Sequence, residues 1–306
     1  MDVFTPMLNQ MAVLFLFMLA GFALCRFKLA PENTGLALSK LETYIFIPAL
    51  NINSFMTHFT VENIAARWQS LLCSVVLLCL AIGIGYLLAR RFAQDGYTRR
   101  IYLYSFVIAN LGFMGNAIIQ GVFGDDMLFD YLIFTLPMQM FVYTVGLSWL
   151  TPGGTGRITL KTLCSPMFLS LFLGAVLGLT SFPVPTFLST TLSSAAACMS
   201  PAAMLLTGFI IGTFDFHSLL TNRRIYFAAF FRLIVIPFLL AGTMKLLNFS
   251  GSILVCALCA YCMPMGLNTV IIPSSYGADT KLGAGIALIS HMLSIITIPL
   301  MFLLFS

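Results

Sequence analysis

Long apolar stretches separated by short polar segments dominate the chain. Most approach 20 residues, the length that a helix needs to cross a hydrocarbon core about 30 Å thick. Charged residues, prolines and glycine clusters bound ten such stretches. The ten predicted spans are residues 7–26, 37–57, 68–89, 101–122, 128–150, 162–180, 189–213, 225–247, 252–276 and 283–305. The pattern predicts an all-α membrane protein with ten transmembrane helices.

Composition agrees with this class and argues against several others. Hydrophobic residues make up 60% of the chain and charged residues only 8%, with a mean hydropathy of +1.01. Soluble domains carry about 25% charged residues. The net charge of +5 sits in short loops without a basic stripe, which argues against a nucleic-acid partner. Cys256, Cys259 and Cys262 are more simply an apolar helix stripe than a metal motif, so we expect no metal, no cofactor and no enzymatic activity.

The basic residues indicate how the helices are oriented. Twelve of them fall on one side of the predicted membrane, and only Arg67 and Lys245 fall on the other. Loops rich in Lys and Arg face the cytoplasm. The twelve are Arg26, Lys28, Lys40, Arg90, Arg91, Arg99, Arg100, Arg157, Lys161, Arg223, Arg224 and Lys281. The bias predicts a protein of the inner (plasma) membrane with both termini periplasmic or extracellular.

The second half of the chain resembles the first at an offset of about 153 residues. Pro48 aligns with Pro201, and Gly124 with Gly277. The predicted organisation is a first five-helix repeat at 1–150, a cytoplasmic linker at 151–161 and a second repeat at 162–306. A repeat of five spans places its second copy in the opposite orientation. Such inverted repeats are typical of secondary carriers, although duplication also builds channels and membrane enzymes.

Two predicted spans carry helix-weakening residues at equivalent positions. The fourth contains Asn110, Gly112, Gly115 and Asn116, and the ninth contains the segment 263–268, which includes Pro264, Gly266 and Asn268. Glycine weakens a helix, and proline kinks or unwinds it. Interrupted backbone at membrane depth is tolerated only where it is buried in protein or lines a cavity. The pattern favours crossing, broken helices whose N-terminal ends attract a carboxylate, over two ordinary kinks.

Other polar residues within the spans allow two interpretations each. Asn51 either faces the same cavity or bonds a neighbouring helix. Arg232 is the only charge well inside a span; it serves function, or its long side chain snorkels to the surface. His291 either relays protons, binds substrate or satisfies an interhelical hydrogen bond, and Gln139 is similarly ambiguous.

Buried carboxylates, on which proton and sodium coupling often relies, are not apparent in the middle of any predicted span. Glu42 falls near a predicted helix start. We therefore expect the transported species to carry its own negative charge and to move without coupling through a buried carboxylate.

Three segments resemble the auxin efflux carrier family, in particular its compact bacterial members described as malonate or malate permeases. They are Tyr44-Ile45-Phe46-Ile47-Pro48-Ala49-Leu50, Asn110-Leu111-Gly112-Phe113-Met114-Gly115-Asn116 and Pro264-Met265-Gly266-Leu267-Asn268. The resemblance implies a fold similar to bile-acid and sodium–proton carriers. It implies a scaffold of spans 1, 2, 5, 6, 7 and 10, a transport domain of spans 3, 4, 8 and 9, and a possible homodimer through the scaffold.

The same resemblance implies where substrate binds. It places the substrate carboxylate at Asn116 and Asn268, with Gly112, Gly115, Pro264 and Gly266 shaping the backbone. The expected function is a secondary carrier of a small organic anion such as malate, malonate or an auxin-like acid. The alternatives are a carrier of a neutral or sulfur-containing metabolite, or a membrane-embedded enzyme or sensor.

Overall fold

The computed structural model describes residues 4–93, 95–151, 164–214 and 222–305, and within these ranges it is helical without a β-strand. The linker predicted at 151–161 lies outside the described residues except for Thr151. In chain order the helices are α1 (Phe4–Arg26), α2 (34–58), α3 (Val61–Ala65), α4 (Trp68–Phe92), α5 (Gly96–Val107), α6 (Leu111–Phe123), α7 (Asp125–Leu150), α8 (Pro166–Thr180), α9 (Thr186–Gly212), α10 (Arg223–Leu246), α11 (Ser252–Cys262), α12 (Asn268–Ser275) and α13 (Lys281–Phe305).

Six of these helices are long and apolar enough to cross a bilayer by themselves: α1, α4, α7, α9, α10 and α13. The α6, α8 and α11 helices are apolar but shorter. A short helix can contribute to a crossing only where neighbouring helices enclose its ends, because lipid satisfies no backbone hydrogen bonds. The prediction of a multi-pass helical membrane protein is thus confirmed by the long apolar helices.

Four helices contain a π-helical turn, which holds one residue more than an α-helical turn. In α2 the turn spans Glu42–Phe46, between Thr34–Leu41 and Ile47–His58. The others are Leu111–Gly115 at the start of α6, Val142–Gly146 in α7 and Phe231–Val235 in α10. Such widened turns occur often at functional sites.

Short polar and glycine signals set several helix ends. The Asp95 carboxylate accepts a hydrogen bond from the Thr98 amide at 2.8 Å and caps α5; this bond lowers the pKa of Asp95 below its usual value. Gly124 between α6 and α7 has φ of +86°, and Gly277 after α12 has φ of +67°. Both conformations are easy only for glycine, and the two residues are partners in the proposed repeat alignment.

The helices pack into two groups. In the first, α1 lies along α9, and α2 packs against α8 and α9. In the second, α4 packs against α5 and α7, and α10 packs against α11 and α13. The α7 helix lies mainly against α4 and α6, and α13 mainly against α10. The packing therefore associates the fifth and tenth predicted spans with the group that contains α4, α5, α10 and α11.

Two contacts join segments that the charge bias predicts on the same side of the membrane. At one end, the Tyr97 hydroxyl donates to the Asp279 carbonyl at 3.1 Å. At the other end, Arg67 forms an ion pair with Asp130 and lies 5.2 Å from the Phe129 ring centroid. Each contact joins two segments that the charge bias predicts on the same side.

The position of Glu42 differs from the expectation. Because α2 begins at Thr34, Glu42 lies two turns inside the helix and is fully buried. The inference that no span contains a buried carboxylate was therefore wrong. It depended on a predicted start at residue 37, which left Glu42 close to water.

Candidate functional site

The two interrupted helices meet at their breaks. The α5 helix ends at Val107 and α6 begins at Leu111, while α11 ends at Cys262 and α12 begins at Asn268. Between them, Ala109 and Met265 form an antiparallel bridge, and the Asn110 amide donates to the Pro264 carbonyl at 2.8 Å. Each break thus satisfies backbone groups of the other, which is the condition for non-helical backbone at membrane depth.

The first break lies earlier than predicted. Residues 108–110 are non-helical, whereas Gly112 and Gly115 belong to the π turn that starts α6. Close packing explains Gly115: an added Cβ would collide with the Tyr131 hydroxyl. Gly266 serves the contact between the breaks, since its Cβ would lie 3.3 Å from the Ala109 carbonyl oxygen. These glycines allow close approach rather than unwinding the helix.

Both breaks direct helix N-termini toward one space. In α6 the first intrahelical bond runs from the Gly115 amide to the Asn110 carbonyl at 3.1 Å. In α12 the Val270 amide bonds the Leu267 carbonyl at 2.8 Å. Of the amides before these bonds, that of Leu111 bonds the Ala109 carbonyl at 2.9 Å and that of Thr269 bonds the Gly266 carbonyl at 3.5 Å. Each helix N-terminus carries a partial positive charge. The residues at both N-termini line the same cavity.

This cavity has a volume of about 100 Å³. Seven of the residues singled out from the sequence line it: Asn51, Asn110, Gly112, Asn116, Gln139, Gly266 and Asn268. The remaining lining residues are Ile47, Ile108, Ala109, Leu111, Phe113, Val142, Tyr143, Met167 and Leu267. No lining residue is charged, so amide groups and helix dipoles supply the polarity of the cavity.

The asparagines differ in how far their side chains are engaged. The Asn268 amide donates to the Tyr104 hydroxyl at 3.0 Å, and the Asn51 amide donates to the Ser170 hydroxyl at 3.1 Å. Asn51 therefore lines the cavity and also bonds a neighbouring helix. The Asn116 side chain is buried, and its carbonyl oxygen has no hydrogen-bond partner among the described residues. A buried acceptor without a partner is costly, and it marks Asn116 as a side chain that the described residues leave incompletely satisfied.

Arg232 does not line the cavity, and it does not snorkel, because it is fully buried. Its Nη1 donates to the Phe106 carbonyl at 3.2 Å, in the last turn of α5. In an uninterrupted helix that carbonyl would accept from Asn110, whose amide bonds Pro264 instead. Arg232 thus places a cation at a helix C-terminus, where it offsets the negative end of the dipole.

His291 also lies behind the cavity rather than in its lining. Its Nδ1 lies 2.8 Å from the Ala287 carbonyl and its Nε2 lies 3.2 Å from the Asn110 side-chain nitrogen. Since Nδ1 must donate to the carbonyl, Nε2 accepts from the Asn110 amide. The histidine therefore orients Asn110, which corrects the alternative that it contacts substrate directly. Gln139 lines the cavity while donating to the Thr135 hydroxyl at 3.0 Å.

Comparison with known proteins identifies the family. The model of the membrane transport protein family matches residues 6–159 and 155–302, nearly the whole chain. This chain belongs to that family. The match agrees with the resemblance to auxin efflux carriers and indicates a transporter rather than an enzyme. A protein of Methanothermobacter thermautotrophicus described as an uncharacterized transporter is 23% identical over 234 residues, which cover 74% of this chain and 76% of the relative.

Some residues of the transporter's site carry no signal in the sequence. Tyr104 reaches Asn268 across 164 positions of the chain, yet an aromatic residue in an apolar span is typical of a core. Ile47 and Met167 line the cavity as ordinary apolar residues. Among the described residues, no group of three or more His, Cys, Asp and Glu side chains could hold a metal ion. The candidate site is thus a cavity with uncharged, amide-rich lining.

Proposed function

We propose that the protein is a secondary carrier that moves a small organic anion, a mono- or dicarboxylate such as malonate or malate, by alternating access. One observation carries the proposal: two opposed helix N-termini and the Asn116 and Asn268 side chains face one small cavity. Backbone amides at a helix N-terminus favour an anion. Asn116 and Asn268 donate to the carboxylate, while Asn51, Asn110 and Gln139 orient the rest of the molecule.

The size of the cavity supports a small substrate. Its volume of about 100 Å³ is several times the roughly 10–15 Å³ that a single water needs. A short-chain acid suits this space better than an auxin-like acid with its ring system. The apolar part of the lining, including Phe113 and Met167, accommodates the carbon skeleton.

Alternating access requires two bodies that move relative to each other. We assign α1, α2, α8 and α9 to the scaffold and the remaining long helices to the transport domain, since the packing supports this division better than the one implied by family resemblance. The cavity lies where Ile47 and Asn51 of α2 face the broken helices. Ten spans in two inverted repeats explain why the breaks occur at equivalent positions.

The charge bias orients the carrier in the plasma membrane with both termini outside. The contact between Tyr97 and Asp279 then lies at the cytoplasmic face, and the ion pair of Arg67 and Asp130 at the outer face. This arrangement supports the cytoplasmic position of the basic loops.

A neutral or sulfur-containing metabolite is the second candidate substrate. The lack of a cationic side chain among the lining residues favours it. The two candidates differ in one respect: helix dipoles attract an anion and give little to its neutral analogue.

Counterflow in liposomes tests the proposal. Purified full-length protein is placed in liposomes preloaded with unlabelled malonate or malate, and uptake of the labelled acid is compared with that of protein-free liposomes. We expect uptake that carboxylates inhibit and that the corresponding diamides, which lack the charge, do not. The same assay is run with a panel of neutral metabolites. If the protein exchanges one of these and exchanges no carboxylate, the second candidate is favoured.

His291→Leu is expected to raise the half-saturation concentration for the transported acid by roughly tenfold. The change removes the acceptor that orients the Asn110 amide, and a neutral hydrogen bond contributes up to about 1.5 kcal/mol, which corresponds to roughly tenfold. His291→Gln can still present an acceptor oxygen and serves as the control, with a value within about threefold of wild type. Equal values for all three proteins would show that His291 does not position Asn110.

A further inference from the structure

Glu42 is a carboxylate that the proposed transport mechanism leaves unused. Its residue is fully buried, and neither carboxylate oxygen has a hydrogen-bond partner among the described residues. Its neighbours on the helix, Leu41 and Tyr44, point outward and are 40% and 66% exposed. Glu42 instead faces inward, where its turn packs against α8 and α9.

No charge on the packed helices compensates for Glu42. The α8 helix has no titratable side chain, and α9 has only Cys198, which is exposed. On α2 itself, Lys40 and Tyr44 are exposed. His58 follows 16 positions later, about 24 Å along the helix axis, and pairs with Asp126. The described helices around Glu42 therefore offer no cation to stabilise a negative charge.

An ionised carboxylate in such a place carries a large desolvation penalty. A buried acid without a partner avoids this penalty by holding its proton, which leaves the group neutral. The conformation described here therefore requires a proton on Glu42. The proton on Glu42 stabilises this conformation, and this conformation in turn raises the affinity of Glu42 for the proton by the same factor, because such coupling is reciprocal.

The location of Glu42 connects it to the cavity. It begins the π turn Glu42–Phe46, and the next residue, Ile47, lines the cavity together with Asn51. A π turn holds one residue more than an α turn, so conversion to α geometry rotates the preceding segment by about 100° relative to Ile47. If movement of the broken helices past Ile47 and Asn51 converts the turn to α geometry, Glu42 rotates relative to α8 and α9 and its exposure changes.

We propose that Glu42 is a proton-binding site of the transport cycle, so that the carrier moves its organic anion together with a proton. This inference rests on the proposed function. In the buried state the carboxyl group is neutral. When the cycle exposes the turn to water, the O–H bond breaks, the proton passes to a water molecule, and the carboxylate remains until a proton from the other side neutralises it. The proton thus crosses together with the anion, and the empty carrier returns without it.

The test uses full-length protein in liposomes with the membrane potential clamped. An interior more alkaline than the exterior by about one pH unit should drive roughly tenfold accumulation of labelled malonate or malate by the wild type, since one proton per anion transmits the whole gradient. Glu42→Gln, which is permanently neutral, should lose this accumulation and retain counterflow at equal pH. Glu32→Gln, the same change at an exposed position, should behave as wild type, and protein-free liposomes correct for passive diffusion.

Each possible result either supports or overturns the inference that Glu42 binds a transported proton. Accumulation by Glu42→Gln equal to that of wild type overturns the inference, as does a wild type that exchanges carboxylates but ignores the gradient; the proposed function survives both results. A wild type without any carboxylate counterflow overturns the proposed function and this inference together. If Glu42→Gln enters the membrane and yet loses counterflow, Glu42→Asp is the deciding variant. If Glu42→Asp retains accumulation driven by the pH gradient, proton binding at this position is supported. If it loses that accumulation, the inference is overturned.

Discussion

Replacing Asn116 or Asn268 by alanine is expected to reduce carboxylate transport by roughly 10- to 100-fold without unfolding the protein. Each amide is placed to donate to a carboxylate at the cavity, and a hydrogen bond to a charged group contributes about 1.5–3 kcal/mol. Truncation of Asn116 breaks no hydrogen bond of its side-chain oxygen with a described residue, whereas truncation of Asn268 also removes the bond to Tyr104. The Asn116 variant is therefore the cleaner test of the site.

Counterflow rates for the two variants measure this effect, and melting of the purified proteins in detergent measures folding. Asn9→Ala is the matched control, because Asn9 is exposed on α1 and does not line the cavity. We expect the control to transport at the wild-type rate. Wild-type rates for both Asn116→Ala and Asn268→Ala would show that the cavity between the broken helices is not the substrate site.

Gly208→Ala is expected to destabilise the protein by about 1–3 kcal/mol, the range observed for overpacked cores. At Gly208 the α9 backbone approaches α1 so closely that an added Cβ would overlap the Met18 carbonyl oxygen. At Gly21 a Cβ would likewise overlap the Leu205 carbonyl oxygen. The two helices would have to separate along their whole interface, and their packing energy exceeds the helix-propensity gain of about 1 kcal/mol that alanine brings.

Gly83→Ala provides the comparison within the same protein. Gly83 is exposed on α4, and an added Cβ would meet nothing within 4 Å. This variant should melt at or slightly above the wild-type temperature, whereas Gly208→Ala should melt several degrees lower. Equal melting temperatures for the two variants would mean that α1 and α9 do not pack through these glycines.

Local features of the sequence determined the helical class, the positions of the apolar helices and the two interruptions. Apolar stretches near 20 residues long report directly on helix length in a bilayer. Pro264 and the nearby glycines lower the local helix propensity, which depends on the backbone of each residue itself. The asparagines of the candidate site could be recognised because a polar side chain within an apolar span has few inexpensive roles.

Contacts distant in sequence decided the rest. Arg232 bonds Phe106, His291 orients Asn110, and Tyr104 reaches Asn268, and no local pattern specifies these partners. The burial of Glu42 follows from the packing of α8 and α9 on its turn. Sequence periodicity identifies which face of a helix is apolar, but the neighbour that covers that face, and therefore the cost of a charge there, is set only when the helices assemble.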